Sequence, residues 1–378
     1  MPLGPARSPF RPRTARPLRI GFLPLIDAAS VIVSSELGYF RDEGLDVTLC
    51  RELGWANVRD KLAFRRLDAA HAVIGLPLRS AMHGETAADN TRAVMALGTG
   101  GDAITLSSAI VASGVSNAVT FGRYIRQSRG RRLVLAHVFE SSVHHYLLRE
   151  WLDAGEIDPD RDVRLCVLPP MQMAAHLAAG HIDGFCSGEP WHTVAQEGGV
   201  GRIVALTCDL MPAHPDKVLA VSRAWADAEP LATVAMIRAV MRGCDYCADE
   251  SNFAGLAEML SQRDYLDLPP PTILSSLTLG RRRAEDWPVR SFDTTFPSHA
   301  YTAWMIDRMQ RWGHADSTLD PWVIAGRAMP TDAYRAAAVS AGRPCPAADD
   351  SPLRLRNGLD FARRTPPGPV LTFEGASV

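Results

Sequence analysis

Leu168 to Trp191 reads LPPMQMAAHLAAGHIDGFCSGEPW, and the chain is organised around it. Met171, Met173, Ala174, Leu177 and Ala178 recur at helical spacing, and Gly180 ends that helix. Ile182-Asp183-Gly184-Phe185-Cys186 reads as a short buried strand. It runs into Ser187-Gly188-Glu189-Pro190-Trp191, where Gly188 permits close backbone approach and Pro190 suits the first turn of a new helix. A helix–strand–helix passage that delivers a glycine, a carboxylate and an indole at a strand's C-terminal edge is where open α/β sheets place ligands. A strand end followed by a good helix start is the plainer reading of the same residues.

Upstream, the pattern repeats. Leu18–Leu25 reads as a first strand, with Asp27 capping the helix that ends at Gly44. Leu45–Leu49 is a second strand and Gly54-Trp55-Ala56-Asn57 opens the next helix; His71–Gly75 is a third strand, followed by a helix at Pro77. Such units predict mostly parallel sheets covered by helices on both faces. Strands around Arg92–Leu97 and Ala103–Ala109 flank a glycine-rich link, Gly98-Thr99-Gly100-Gly101-Asp102, which lacks the Gly-Lys-Ser/Thr of a phosphate loop. A second series runs from Asn117 through strands at Arg131–Val138, Val163–Leu168 and Arg202–Thr207. Downstream the chain is helical over Pro230–Cys247, Asn252–Gln262, Pro271–Leu277 and His299–Trp312, with one further helix, Asp332–Ala341, in a Pro- and Ala-rich tail.

The domain division that follows is an N-terminal arm expected to be disordered (1–17), a first lobe (18–109), a second lobe (110–217), a helical return to the first lobe (218–313) and a C-terminal extension (314–378). With 47% hydrophobic residues in 378, the chain can build two lobes. A formal net charge of −2 gives no basic field for nucleic acid or membrane surface. No apolar run reaches the length of a membrane span. The Arg- and Pro-rich start has no apolar leader segment, which predicts a cytoplasmic protein, or a periplasmic one if the true N-terminus is missing. Seven cysteines, odd in number and set in apolar contexts, read as reduced core thiols. Cys244-Asp245-Tyr246-Cys247 stands alone in a helical pattern, without the second pair a zinc site would want.

Trp55, Asp102, His144, Glu189 and Lys217 all fall at strand ends or helix starts, where binding groups concentrate. Each has a plainer role: Trp55 as a helix staple, His144 and His145 as helix-start residues, Lys217 as a surface cation. Glu189 is favoured at a helix N-terminus without any ligand. The set lacks a nucleophile elbow and the spacing of a zinc protease, so no catalytic function is expected. It suits a small polar anion, held by a lysine charge, an imidazole, an indole wall and backbone N–H groups.

Several ordered motifs carry a resemblance: Gly21-Phe22-Leu23-Pro24-Leu25-Ile26-Asp27-Ala28-Ala29, Gly54–Asp60, Pro169-Pro170-Met171-Gln172-Met173, Asp183–Trp191, His214-Pro215-Asp216-Lys217 and Phe296-Pro297-Ser298-His299 with Arg311-Trp312-Gly313. From Leu18 to Gly313 the chain resembles the nitrate- and bicarbonate-binding proteins of ABC transporters and their cytoplasmic relatives that sense nitrate and nitrite. The resemblance implies a two-lobed periplasmic-binding-protein-like fold of type II, closing on its ligand by hinge motion. It implies that Trp55 lines the anion pocket, that His144 and Lys217 contact the anion, and that Gly188 and Glu189 belong to the C-x-G-E-P-W motif of the site. It implies no cofactor and no metal. Two positions depart from the family pattern. Asp102 stands where a glutamine or asparagine is usual, and a carboxylate there repels nitrate unless it is protonated, turned away or paired with Lys217. The turn Phe139–Val143 lacks the usual glycines and threonine.

The missing leader and the region after Gly313 favour the sensor branch. That branch implies binding of nitrate or nitrite and control of an RNA-binding antitermination regulator as protein partner, with no direct nucleic-acid contact. The alternative is the solute-binding component of a nitrate/bicarbonate-type ABC transporter. An enzymatic alternative, the thiamin-pyrimidine synthases that share the superfamily fold, wants a cysteine-rich motif that this chain lacks.

Overall fold

The computed structural model describes residues 16–83, 91–128, 131–212, 214–279, 290–354 and 360–363. The strands appear in chain order as β1 (Leu18–Phe22), β2 (Val47–Arg51), β3 (Ala69–Val73), β4 (Thr91–Ala96), β5 (Thr99–Gly100), β6 (Asp102–Ser107), β7 (Leu133–His137), β8 (Val163–Val167), β9 (Gly184–Gly188), β10 (Gly201–Leu206), β11 (Lys217–Ser222), β12 (Arg290–Ser291), β13 (Leu353–Arg354) and β14 (Asp360–Phe361). Two five-stranded sheets form, ordered β2-β1-β3-β11-β4 and β10-β6-β9-β7-β8. They are the centres of two lobes.

Both sheets are mixed in the same way. β1 runs parallel to β2 and β3, and β7 parallel to β8 and β9, as the strand–helix–strand units require. β11 is antiparallel to β3 and β4, and β6 antiparallel to β9 and β10. The reason is topological. The parallel strands end at the cleft between the lobes, whereas β6 and β11 are crossing strands that begin there. The strand expected over Ala103–Ala109 in the first lobe is therefore β6 of the second sheet, and the crossing lies in the glycine-rich link before it. β5 in that link pairs antiparallel with β12.

The helices that matter below are α1 (Ala29–Glu36), α2 (Trp55–Ala63), α3 (Gly75–His83), α4 (Val143–Ala154), α5 (Trp191–Glu197), α6 (Pro230–Ala248), α7 (Pro270–Leu277), α8 (His299–Arg311), α9 (Pro321–Ala328) and α10 (Asp332–Ser340). α6 lies against α1, and its Ala235, Met236 and Val240 share a core with Leu18 and Ile20 of β1 and Leu219 and Val221 of β11. On the sheet's other face, Val58 and Leu62 of α2 and Leu76 and Leu78 of α3 pack with Val218 and Ala220. That core continues into the second lobe through Tyr146, Phe185 and Trp191. The second lobe has its own core, with Ile104, Leu106, Leu135, Leu148 and Trp151.

Beyond Gly313 the described chain packs on the first lobe. α9 lies against α3 and α8, and α10 against α6. The tail holds two helices where the sequence reading has one. α9 has a legible start, since Asp320 accepts from the N–H groups of Trp322 and Val323 and Pro321 takes the first helical position. Of the arm expected over 1–17, residues 1–15 lie outside the described residues; Arg16 makes two bonds of 2.8 and 2.7 Å to the Asp68 carboxylate. No helix among the described residues is long and apolar enough to cross a membrane. Cys244 and Cys247 are buried in α6, and burial pushes the Cys244 thiol up to about 12.

The lobes meet closely. Ile26 N donates to Glu189 O at 2.9 Å, and Trp191 Nε1 donates to Pro24 O at 3.1 Å. A Cβ placed on Gly75, at the start of α3, would stand 1.6 Å from the carbonyl oxygen of Ser141 in the turn before α4. Outside the cleft, Arg308 and Arg311 of α8 reach Glu150 of α4 at 3.5 and 2.7 Å, and Tyr146 OH meets His314 Nδ1 at 3.0 Å.

Candidate functional site

Cleft-facing strand ends supply the site. Asp102 and Lys217 are the first residues of the two crossing strands, β6 and β11. Gly188 is the last residue of β9, directly opposite Asp102 in register. Trp55 opens α2 after β2, and His144 is the second residue of α4. Ser142 caps α4 by accepting from His145 N and donates its hydroxyl to Phe139 O at 2.7 Å. The Ser142 hydroxyl is thus used within this altered turn, whereas the buried Ser141 Oγ has no hydrogen-bond partner.

These groups come together with partners that the sequence reading passed over. The Lys217 ammonium lies 2.9 Å from Asp27 Oδ2, touches the Asp216 carboxylate, and sits 5.7 Å above the Trp55 ring. Asp27 caps no helix, contrary to expectation; its other oxygen meets His71 Nε2 at 2.7 Å. The His71 ring in turn packs on Trp55 with centroids 5.4 Å apart. His144 Nε2 hydrogen-bonds Asp102 Oδ1 at 3.1 Å and lies 3.3 Å from Asp216 Oδ2. Asp102 is paired with this imidazole, not with Lys217. Thr207 Oγ1 donates to Asp102 O at 2.9 Å and must therefore accept from His214 Nε2, 2.8 Å away.

Burial governs the charges. Asp102, His144, His71 and Lys217 are all buried. Desolvation pushes the His71 and His144 rings below the usual imidazole range and takes His214 to about 4, so these rings are neutral at pH 7. Desolvation also works against the Asp27 and Asp102 carboxylates, but it is outweighed. Lys217 and His71 hold Asp27 far below the carboxylate range, and His144 and Lys217 lower Asp102. Arg290 on β12 adds a buried guanidinium that donates to Gly101 O at 3.0 Å. A pocket of about 10 Å3 lies between Asp27, Gly98, Lys217, Arg290 and Phe292. That is room for about one water-sized group in this closed arrangement.

The structure brings Trp55, Asp102, His144, Gly188 and Lys217 into one cluster. A Cβ on Gly188 would stand 3.2 Å from Asp102 Oδ1 and 3.3 Å from Asp27 Oδ2. The Glu189 side chain turns to the start of α5 instead, where it accepts from Thr193 N at 3.1 Å, and Ser276 of α7 lies 3.5 Å away. Burial pushes its carboxyl up to about 7. Asp27, His71, His214, Asp216 and Arg290 are the residues missed. His71 carried a signal, a polar side chain in the otherwise apolar strand Ala-Ala-His-Ala-Val. Among the described residues, Asp102, His144 and Asp216 offer metal-ligand atoms within 4.8 Å of one another. The Lys217 ammonium against Asp216 already supplies positive charge there.

Known proteins agree with this architecture. The NMT1-like family model matches residues 11–261. The bicarbonate transport ATP-binding protein CmpC of Synechococcus elongatus is 35% identical over 303 residues, covering 78% of this chain but 45% of CmpC. The chain thus spans about half the length of such ATP-binding relatives. The nitrate/nitrite binding protein NrtA of Synechococcus elongatus is 30% identical over 344 residues, covering 86% of this chain and 78% of NrtA. The crystal structure of the periplasmic nitrate-binding protein NrtA from Synechocystis PCC 6803 superposes with a TM-score of 0.84 at 25% identity, over 91% of this chain and 95% of that one. The family match, a relative covered over most of its length and the shared two-lobed fold make this chain a member of the NMT1-like family.

Proposed function

We propose that the chain captures a small inorganic oxyanion between its lobes as the solute-binding part of an ABC import system of the nitrate/bicarbonate type. One observation carries this reading. Crossing strands and helix starts far apart in sequence deliver a buried ammonium, an imidazole and an indole to one cleft, and the small pocket beside that ammonium is enclosed by both crossing segments. The named relatives support it, because they are binding and transport proteins for nitrate, nitrite or bicarbonate. They favour the transporter alternative of the sequence reading and lend no support to the sensor role or its antitermination partner. The partner that takes their place is an ATP-binding transport component, as in CmpC. The solved NrtA is periplasmic, which favours the periplasmic alternative for this chain over the cytoplasmic location.

In this reading Lys217 supplies the charge, Trp55 the wall, and His144 holds the Asp102 carboxylate in place, while hinge closure buries the anion. The test is calorimetric titration of the purified full chain with hydrogen carbonate, nitrate and nitrite. Saturable one-to-one binding of at least one anion is expected, with loss in Lys217→Gln. Binding of none of the three overturns the reading.

A further inference from the structure

We propose that His176 and His181 form a binding site for a divalent transition-metal ion of the Zn2+ class, at the end of the second lobe away from the cleft. The site is separate from the oxyanion reading and does not depend on it.

A helix end brings the two histidines together. The helix Met173–Ala178 closes through Gly180, whose φ of +70° lies in the left-handed region. Gly180 N donates to Leu177 O at 3.1 Å and His181 N donates to His176 O at 3.0 Å, the paired bonds of a Schellman motif. That motif sets its sixth residue beside its first, and an apolar pair commonly fills the two places. Here two imidazoles stand there instead. Leu177 and Ile182, the residue after each histidine, are buried in the core and fix the backbone on both sides. His176 is half-buried and His181 exposed, so an ion can reach the pair from solvent.

The spacing fits a metal. The two Nδ1 atoms lie 3.3 Å apart, with ring centroids at 5.2 Å. Two nitrogens bound to one Zn2+ at about 2.0–2.1 Å in tetrahedral geometry are separated by about 3.3–3.4 Å, the same distance. Without an ion, two neutral rings in this pose share at most one N–H···N bond, and at 3.3 Å it is a long one. Imidazole suits Zn2+, Cu2+ and Ni2+, whereas Ca2+ and Mg2+ take oxygen ligands. Among the described residues no third His, Cys, Asp or Glu atom joins the pair, so water completes the coordination. β9 begins at Gly184, shortly after His181, and ends at the cleft with Gly188 opposite Asp102. The pair therefore sits at the far end of that strand, and the cleft carboxylates take no part.

The experiment titrates Zn2+ into the full chain at pH 7.5 by calorimetry, on wild type, His176→Gln and His181→Ala. Histidine side-chain nitrogen NMR of the wild type, with and without Zn2+, is recorded beside it. Wild type should bind Zn2+ saturably, and loss of either of two ligands should weaken binding ~10-fold or more. Two Nδ1 resonances should shift together as the ion binds. Absence of Zn2+ binding in wild type overturns the inference. So does affinity within twofold of wild type in a folded variant, because the metal is then held elsewhere. The wild-type spectrum decides even if a variant fails to fold, since Zn2+ that moves no pair of Nδ1 resonances overturns the inference as well.

Discussion

Gly75→Ala tests the closed arrangement directly. The added methyl would stand 1.6 Å from the Ser141 carbonyl oxygen and 2.5 Å from its carbon. Reaching ordinary van der Waals contact requires the two backbones to separate by roughly 2 Å. The obstacle is backbone, so no side chain can rotate aside. Each lobe alone is untroubled, because Gly75 begins α3 and alanine is the better helix former. The cost therefore falls on closure. Overpacking of a tight contact costs about 1–3 kcal/mol, which weakens ligand affinity about 5- to 150-fold if only the closed form holds the ligand. The assay is calorimetry with whichever oxyanion binds wild type, beside X-ray scattering for the radius of gyration and a thermal melt. Weaker binding, a larger radius with ligand present and an undiminished melting temperature are expected. Affinity within twofold of wild type would refute the assignment of Gly75–Ser141 as a closure contact.

Lys217→Ala strands Asp27 and Asp216 in a buried site, so beyond losing the anion it should cost about 3–5 kcal/mol of stability, read by urea denaturation; a variant as stable as wild type would show the ion pairs to be dispensable. Glu189, pushed up to about 7 by burial, keeps its proton in the fold while the unfolded chain, ordinarily near 4.5, has lost it. Its burial therefore costs nothing below pH 4 and a growing amount as pH rises from about 4.5 to 7, reaching about 3 kcal/mol. Glu189→Gln should accordingly raise the melting temperature at pH 8 and leave it unchanged at pH 4, and equal shifts at both would refute the titration. Glu150 ties α4, which carries His144, to Arg308 and Arg311 of α8. Glu150→Ala should remove about 1 kcal/mol from the closed form and weaken anion binding about fivefold; unaltered affinity would show that this outer contact does not assist closure.

The repeating strand–turn–helix pattern was legible because each unit is built from local signals, hydrophobic period, glycine stops and proline starts. The cleft positions of Trp55, Asp102, His144, Gly188 and Lys217 were legible for the same reason, since each marks the edge of a local element. Ala103–Ala109 was read correctly as a strand and assigned to the wrong lobe. Periodicity shows that a strand exists but not which sheet receives it, and pairing with β9 and β10 is a contact between residues far apart in the chain. α9 was missed although Asp320-Pro321 marks its start, because the Pro- and Ala-rich tail has no strong apolar repeat there.

What the sequence determined by itself was most of the elements, the two-lobed plan and the family, all of which follow from short-range patterning and ordered motifs. Tertiary structure alone decided the electrostatics of the site. Asp27 read as a helix cap, His71 as a buried strand residue and Asp216 as a neighbour of Lys217. Only the fold brings them together around one ammonium and one imidazole. Charge interaction depends on distance and burial rather than on spacing along the chain. A carboxylate that looked like a mere departure at position 102 therefore becomes, in three dimensions, an ionised acceptor with one oxygen to spare.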